Sequence, residues 1–534
     1  MTDMLKTPFR QFAVLRQKLK DDPLILMQMD QKRGVLMSVT LSLIVALVFR
    51  IFFHVSWAGP DFWGDSYHHW LISRLTLANQ WIYTDYKGLE TIWLPGYHYL
   101  ISLVMFMWGR FDLLPAHVTN MILGTLACGL VAWLVSDITK SWYAGLGAGL
   151  TLALLPWHIA YSHLNMPEVM AGVLLLALLL AVRRGRMELL PWLALVSTLT
   201  RHELTLFLGI MGVWLAWQRN WPAVRRLGLG AGVGLTGWSF WSWYHTGDVL
   251  GWWVRTLNAI SWDARFWTEA GIRLADIDTL VRTANRAYPL LAVVGLAAIV
   301  VIIGITFYGW RYRPTEGGWL LVALVGSHWL ILGRSFVVGY LPVADPRYLL
   351  ATLPLLTGIG VMAIAAIRNY RVRLVIIALY ALYLLASLYN QLPTFSEMAY
   401  IIAPERAAGE YLGKNIPPNK QDNYWVDAPV TIYYSNLDPK RFFSSDVLLP
   451  QEKRYQDNTI DIALNAIEKH NIRYVLWEDV SYTFVGQVWP DMAAAQAFDQ
   501  NGYYFEPLFH YSGWELDYGA QPTIIWQIME ATND

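Results

Sequence analysis

The chain has 534 residues, 55% of them hydrophobic and 15% charged, with a mean hydropathy of +0.34 and no net charge. A soluble globular domain carries charge on about a quarter of its residues, so this composition excludes an ordinary soluble protein. Zero net charge leaves no long-range attraction for nucleic acid, and the single cysteine, Cys128, excludes an intrachain disulfide.

In chain order, residues 1–33 are polar and read as a cytoplasmic amphipathic segment, with no cleavable signal peptide expected ahead of the first apolar run. Apolar runs of roughly 17 to 25 residues mark transmembrane helices. They are expected at Gly34–Val55, Ala116–Ser136, Trp142–Ser162, Glu168–Val182, Met187–Thr200, Glu203–Trp217, Leu227–His245, Tyr288–Trp310, Trp319–Val337, Tyr348–Ile367 and Leu374–Gln391. Basic residues gather before the first run (Lys18, Lys20, Lys32, Arg33) and in alternate loops after it. Those loops hold Lys140; Arg183, Arg184 and Arg186; Arg219, Arg225 and Arg226; Arg311 and Arg313; and Arg368, Arg371 and Arg373. The positive-inside rule places all of them in the cytoplasm, giving about eleven spans with the N-terminus inside and the C-terminus outside. Leu94–Trp108 is apolar but short of the ~20 residues a crossing needs, and counting it would invert every later basic loop. It is therefore expected to be an interfacial or re-entrant helix within one external loop, residues 56–115.

This topology leaves the cytoplasmic loops short and collects the acids, histidines and aromatics outside. The external segments include Gly64–Trp70 (GDSYHHW), Tyr83–Tyr86 (YTDY), Leu94–Tyr99 (LPGYHY), His163–Glu168 (HLNMPE), Thr200–Glu203 (TRHE), a long loop Thr246–Arg286 and Ala344–Tyr348 (ADPRY). Charge beside a bilayer is costly unless chemistry or solvent requires it, so function is sought there. Residues 392–534 shift to soluble composition and read as an extracytoplasmic α/β domain. Helices are expected at Pro404–Lys414 and Ile460–His470, and strands at Asn423–Val426, Thr431–Tyr434, Ile472–Trp477 and Thr523–Ile528. The glycine patterns Gly145-x-x-x-Gly149 and Gly228-x-Gly230-x-Gly232 fall within apolar runs and read as helix packing rather than nucleotide binding.

The order of these motifs resembles the GT-C superfamily of polytopic glycosyltransferases, with most likeness to the protein O-mannosyltransferase and lipid A aminoarabinose transferase group. It rests on Asp65 beside Tyr67, Tyr83-x-Asp85-Tyr86, the Leu94–Tyr99 helix start, Met166–Glu168, Leu199–Glu203 and Pro346–Pro354, and covers most of residues 34–391. The chain departs from the family's Asp-Glu at Asp65-Ser66 and from its Pro-Pro at Pro95-Gly96. The resemblance implies a transmembrane catalytic domain over residues 34–391, a polyprenyl-phosphate sugar donor and transfer outside the cytoplasm to a hydroxyl acceptor on protein, lipid or glycan.

An inverting transfer needs a carboxylate to take the acceptor's proton, and cations or hydrogen-bond donors on the departing phosphate. Asp65 is the expected base and Asp61 its competitor; Asp65 also reads as a helix N-cap. Arg201 and Arg347 are phosphate candidates, against the alternative of snorkelling or pairing with Glu203 or Asp345. Glu168 and Glu203 would bind sugar hydroxyls, orient Arg201 or ligate a divalent ion with Glu90 or a histidine such as His163. Tyr67, Asp85, His98, His202 and Tyr348 complete the substrate-binding candidates. His68, His69, His163 and His202 read as a hydrogen-bonding or interfacial set in preference to a metal site. Two other classes stay open, a lipid or glycan transporter with an external binding domain, and a non-catalytic polysaccharide-binding assembly protein.

Overall fold

The computed structural model describes residues 31–56, 59–88, 93–254, 316–337, 346–397, 402–416, 421–448, 459–478, 488–500, 502–511 and 523–530, with the single residues 399 and 485. The segment 1–30, the expected span at 288–310, most of the 246–286 loop, Glu90 and Asp345 lie outside these residues.

The remaining apolar runs fall on helices. They form α1 (Gln31–Ser56), α2 (Gly64–Ala78), α3 (Pro95–Trp108), α4 (Leu114–Thr139), α5 (Trp142–Leu154), α6 (Pro156–Tyr161), α7 (Glu168–Arg183), α8 (Leu190–Thr198), α9 (His202–Trp217), α10 (Trp221–Thr246), α11 (Glu316–Val337), α12 (Leu353–Ala365) and α13 (Tyr370–Glu397). The run expected at Trp142–Ser162 is divided between α5 and α6 at Leu155-Pro156, where proline cannot continue the ladder of the helix before it. By length and composition, Gln31–Ser56, Leu114–Thr139 and Tyr370–Pro393 are long and apolar enough to cross a membrane. Trp142–Leu154, Met187–Thr198, His202–Trp217, Gly318–Leu332 and Leu353–Ala365 are apolar but shorter. α3 has 14 residues, about 21 Å of helix, against a hydrocarbon core of about 30 Å.

Small residues let the helices approach. A Cβ on Gly145 would sit 1.8 Å from Ser136 Oγ, and one on Gly149 would sit 2.1 Å from Ser42 Oγ. That pattern therefore serves the contact of α5 with α4 and α1. Gly230 in α10 meets the Pro191 carbonyl of α8 in the same way, at 2.0 Å.

The bundle is polar along its axis. At one end the cations Lys140, Arg183 and Arg184 converge on Asp137 at the close of α4. His117, in the first turn of α4, precedes Asp137 by 20 residues and so lies about 30 Å away along the helix. α7 runs from Glu168 to Arg183 and α9 from His202 towards Arg219, so both begin at the end where α1 finishes with His54.

Beyond α13, a six-stranded mixed sheet follows α14 (Ala403–Asn415). Its strands are β1 (Asn423–Trp425), β2 (Phe442–Phe443), β3 (Ile472–Glu478), β4 (Phe498–Gln500), β5 (Tyr503–Tyr511) and β6 (Thr523–Glu530), in the order β2-β1-β3-β6-β5-β4. β2, β1 and β3 are parallel neighbours; β3, β6, β5 and β4 pair antiparallel. Alternation buries both faces. Val475, Trp477 and Trp526 join one core with Ile467 of α17 (Thr459–Lys469), whereas Tyr474, Leu476 and Ile525 join the core shared with α14 and the helical body.

Thr431–Tyr434 is not a strand. It lies in α15 (Pro429–Ser435), which proline opens and Asn436 closes in the left-handed region at φ 54°. β-branched and aromatic residues favour strands only weakly, and here contacts with α14 and α2 override that preference. A one-turn helix, α16 (Ser445–Leu448), follows β2. The sheet region is joined to the bundle at α2: Tyr433 and Tyr434 pack on Tyr67, Tyr433 on Trp70, and Lys440 Nζ donates to the Ala78 carbonyl at 3.0 Å.

Candidate active site

α2 starts at Gly64, with extended Trp63 (φ −109°, ψ 129°) as its N-cap and no side-chain capping bond. Asp65 therefore lies in the first turn and is not the cap, a correction to the capping alternative. There the unpaired N–H groups of the helix end favour a carboxylate. Asp65 Oδ2 accepts from Arg347 Nη1 at 2.5 Å, joining groups 282 residues apart in sequence. Arg347 stands on the 3₁₀ turn Pro346–Leu349. Its guanidinium lies 5.3 Å from the Trp63 ring and 4.9 Å from the Tyr348 ring, and Nη2 donates to Tyr348 Oη at 3.0 Å. The Asp65 side chain keeps 32% exposure and that of Arg347 15%, so the pair is in reach of a ligand. Burial pushes the Asp65 carboxyl upward, but Arg347, with His68 and Lys87 behind it, outweighs burial and holds it below the usual carboxylate range.

Asp85 accepts from His68 Nε2 at 2.7 Å and from the Lys87 amide at 3.0 Å. Burial disfavours the Lys87 charge, but Asp446, Asp427, Asp85 and Asp65 together hold its pKa above the ordinary value. Arg201 is gripped on all three nitrogens. Nη1 donates to Glu168 Oε1 at 2.6 Å, while Nε and Nη2 donate to Glu203 at 3.0 and 2.7 Å. The Arg201 fork is thus closed by its own carboxylates, and Glu168 Oε2 is buried with no hydrogen-bond partner.

Asp61 is separate from Asp65. It is 1% exposed; Oδ2 accepts from Ser66 Oγ and from the Asn165 amide at 3.4 Å, and Oδ1 faces His117 Nε2 at 2.9 Å. Asn165 also donates through Nδ2 to the Ser66 carbonyl and accepts from Tyr97, each at 2.8 Å, and Asn120 Nδ2 donates to Tyr97 Oη at 2.8 Å.

The other candidates scatter around this centre. Tyr67 is fully buried, its hydroxyl 3.2 Å from that of Tyr434. His98 pairs with His69 at 2.8 Å, and burial carries its pKa down to about 4, so it is neutral at physiological pH. His202 stacks on Trp252 with ring centroids 5.5 Å apart. Of the metal candidates, Glu90 is outside the described residues. His163 groups with His54 and His117, and Glu168 joins no such group among the described residues.

Gly96 explains one departure from the family pattern. Its amide donates to the Leu199 carbonyl at 2.6 Å, and a Cβ there would sit 2.7 Å from that oxygen. Proline would lose the donor and collide. Sequence reasoning passed over Lys87, His54, His117 and Asn165. Lys87 directly follows the Tyr83–Tyr86 motif and could have been found there, whereas His54 and His117 are single histidines at opposite ends of separate apolar runs and gave no local signal.

No protein-family model and no curated protein matches the chain. Solved structures do match in fold. ArnT from Cupriavidus metallidurans bound to undecaprenyl phosphate aligns with a TM-score of 0.53 at 13% identity, covering 92% of this chain and 97% of that one. The same protein in the apo state gives 0.53 at 13% identity, covering 93% and 98%. The archaeal oligosaccharyltransferase AglB from Archaeoglobus fulgidus, in complex with an inhibitory peptide and a dolichol-phosphate, gives 0.52 at 12% identity, covering 84% and 70%. AglB and ArnT are membrane glycosyltransferases of the GT-C superfamily, and this chain has the GT-C fold they share.

Proposed function

We infer that the chain is a membrane glycosyltransferase that moves a sugar from a polyprenyl-phosphate donor to an acceptor hydroxyl on the extracytoplasmic face, with inversion at C1. The observation that carries this reading is the Asp65–Arg347 contact, which sets a carboxylate base beside a cation fitted to phosphate. The fold likeness supports it, since the ArnT and AglB structures hold undecaprenyl phosphate and a dolichol-phosphate. Asp65 takes the acceptor proton as the acceptor oxygen bonds to C1. The C1–O bond to phosphate breaks, and its electron pair leaves with the lipid phosphate. Arg347 meets the charge growing on that oxygen, so its contact is stronger in the transition state than in the ground state. In the resting protein Asp65 occupies Arg347; an arriving donor phosphate competes for the guanidinium and frees Oδ2. Glu168 and Glu203, held in place by Arg201, face sugar hydroxyls.

The topology that fits has eleven spans, the Asp137 end in the cytoplasm, residues 56–115 as one external loop and 392–534 as an extracytoplasmic domain. A transporter would draw on the buried Arg50–His158 pair and on His328, but it leaves the Asp65–Arg347 pair without a task. The test is the anomeric configuration of the product. Wild-type protein should give the inverted anomer, and Asp65→Asn should form it at least ~10²-fold more slowly. A retained configuration would demand a covalent intermediate and remove the base role from Asp65.

A further inference from the structure

Beside the Asp65 centre, three imidazoles and a carboxylate from four separate segments meet. His54 lies in the last turn of α1, Asp61 precedes α2, His117 lies in the first turn of α4, and His163 lies between α6 and α7. The ligand atoms of the three histidines all fall within 4.8 Å of one another. His54 Nδ1 is 2.8 Å from His163 Nε2, and the His117 and His163 rings are 4.1 Å apart. Asp61 Oδ1 is 2.9 Å from His117 Nε2 and 3.8 Å from His163 Nδ1. Despite that proximity, Asp61 Oδ1 and His117 Nε2 are both buried with no hydrogen-bond partner. A buried carboxylate oxygen is costly without a partner, and among the described residues Asp61 Oδ1 has only the His117 and His163 imidazoles within 4 Å to offset its charge.

We propose that His54, His117 and His163 form a zinc site that ties their three segments together, with Asp61 set behind it against the His117 imidazole. Three imidazole nitrogens suit a borderline cation, whereas magnesium and calcium take oxygen ligands. A tetrahedral ion with Zn–N near 2.0–2.1 Å needs ligand atoms about 3.4 Å apart, so the imidazoles reach it by small ring movements within their present spacing. The outer support is already in place. Ser66 Oγ and the Asn165 amide hold Asp61 Oδ2, and Asn120 ties the 163–166 loop through the Met166 carbonyl at 3.1 Å. Three protein ligands leave the fourth position to water, and the ion would tie α1, α4 and the 163–166 loop together. Through Asp61 and Ser66, the neighbour of Asp65, it fixes the start of α2. This proposal does not depend on the transferase reading.

The test uses the full chain, purified in detergent and analysed for zinc. About one zinc per chain is expected in the wild-type protein. Stripping it with a chelator should lower the melting midpoint by about 5 °C, reversed by Zn²⁺ and not by Mg²⁺. Substituted Co²⁺ should give the intense visible absorption of a tetrahedral site. His117→Asn and His163→Asn should lose the metal and the Zn²⁺-dependent midpoint, while His69→Asn, from the nearby His69–His98 pair, should keep both. Where a histidine variant fails to fold, titration of stripped wild-type protein with Zn²⁺ decides alone. Wild-type protein that holds no zinc and shows no Zn²⁺-dependent midpoint overturns the proposal, as does full zinc retention in the His117→Asn/His163→Asn double variant.

Discussion

Replacing Arg347 separates the electrostatics of the leaving group from general packing. A sugar-phosphate lipid is a phosphodiester with one negative charge, and the lipid phosphate released is a monoester with about −1.5 to −2. A guanidinium about 4 Å from a unit charge at an effective dielectric of about 20 contributes roughly 4 kcal/mol. The extra half to one charge formed on departure is therefore met with about 2–4 kcal/mol, about 30-fold to 10³-fold in rate. The 32% exposure of Asp65 and 15% of Arg347 point to the lower half of that range, because water screens the contact. Arg347→Gln should lower turnover by that factor at saturating acceptor, and Arg347→Lys should recover only part, lacking the planar fork. The same change alters pH dependence. Arg347 holds the Asp65 pKa below the ordinary range, so wild-type activity should persist as pH falls through the usual carboxylate range and be lost only below it. Without the guanidinium the folded pKa rises, and the acid limb moves to higher pH. The assay is transfer rate against donor concentration and pH for wild type, Arg347→Gln and Arg347→Lys. Turnover within about threefold of wild type, with an unmoved acid limb, would refute the reasoning.

Other consequences are separately measurable. Asp65→Asn should fold normally and reduce turnover by at least ~10²-fold, the lower range for a lost general base; undiminished transfer would pass the role elsewhere. Arg201→Met strands two carboxylates, one only 4% exposed, and should cost about 3–5 kcal/mol of stability by thermal unfolding, with Glu203→Gln costing less. Trp526→Ala removes a fully buried ring from the sheet core and should cost about 3–5 kcal/mol, seen as rapid proteolysis beyond residue 402 while the helical bundle persists. Thiol labelling in sealed vesicles should reach Arg186→Cys only from the cytoplasmic side and Lys440→Cys only from outside; the reverse would invert the proposed topology.

The helical body was legible because its apolar runs are long and punctuated by arginines. Short pieces were not. Pro507 interrupts the alternation of Tyr503–Tyr511, and the register shift between Pro507 and Phe509 shows the irregularity that hid β5. Thr431–Tyr434 carried strand composition yet became helix, because Pro429 and Asn436 set its ends. Residue type and position make Asp65 and Arg347 candidates, but their contact spans 282 residues and no local pattern encodes it. Arg201, read as a phosphate ligand, is held by Glu168 and Glu203, a closure set by how α7 and α9 begin side by side. The His54–His117–His163 group was invisible for a similar reason: each histidine is alone in its own segment, and only the packing of α1, α4 and the 163–166 loop unites them.

Release of free polyprenyl phosphate from a radiolabelled polyprenyl-phosphate sugar, measured with purified protein and a hydroxyl acceptor, tests the central claim most directly. The account predicts acceptor-dependent release that falls by at least ~10²-fold in Asp65→Asn and by about 30-fold or more in Arg347→Gln. Donor that is bound, or moved between leaflets, with its sugar still attached would contradict it.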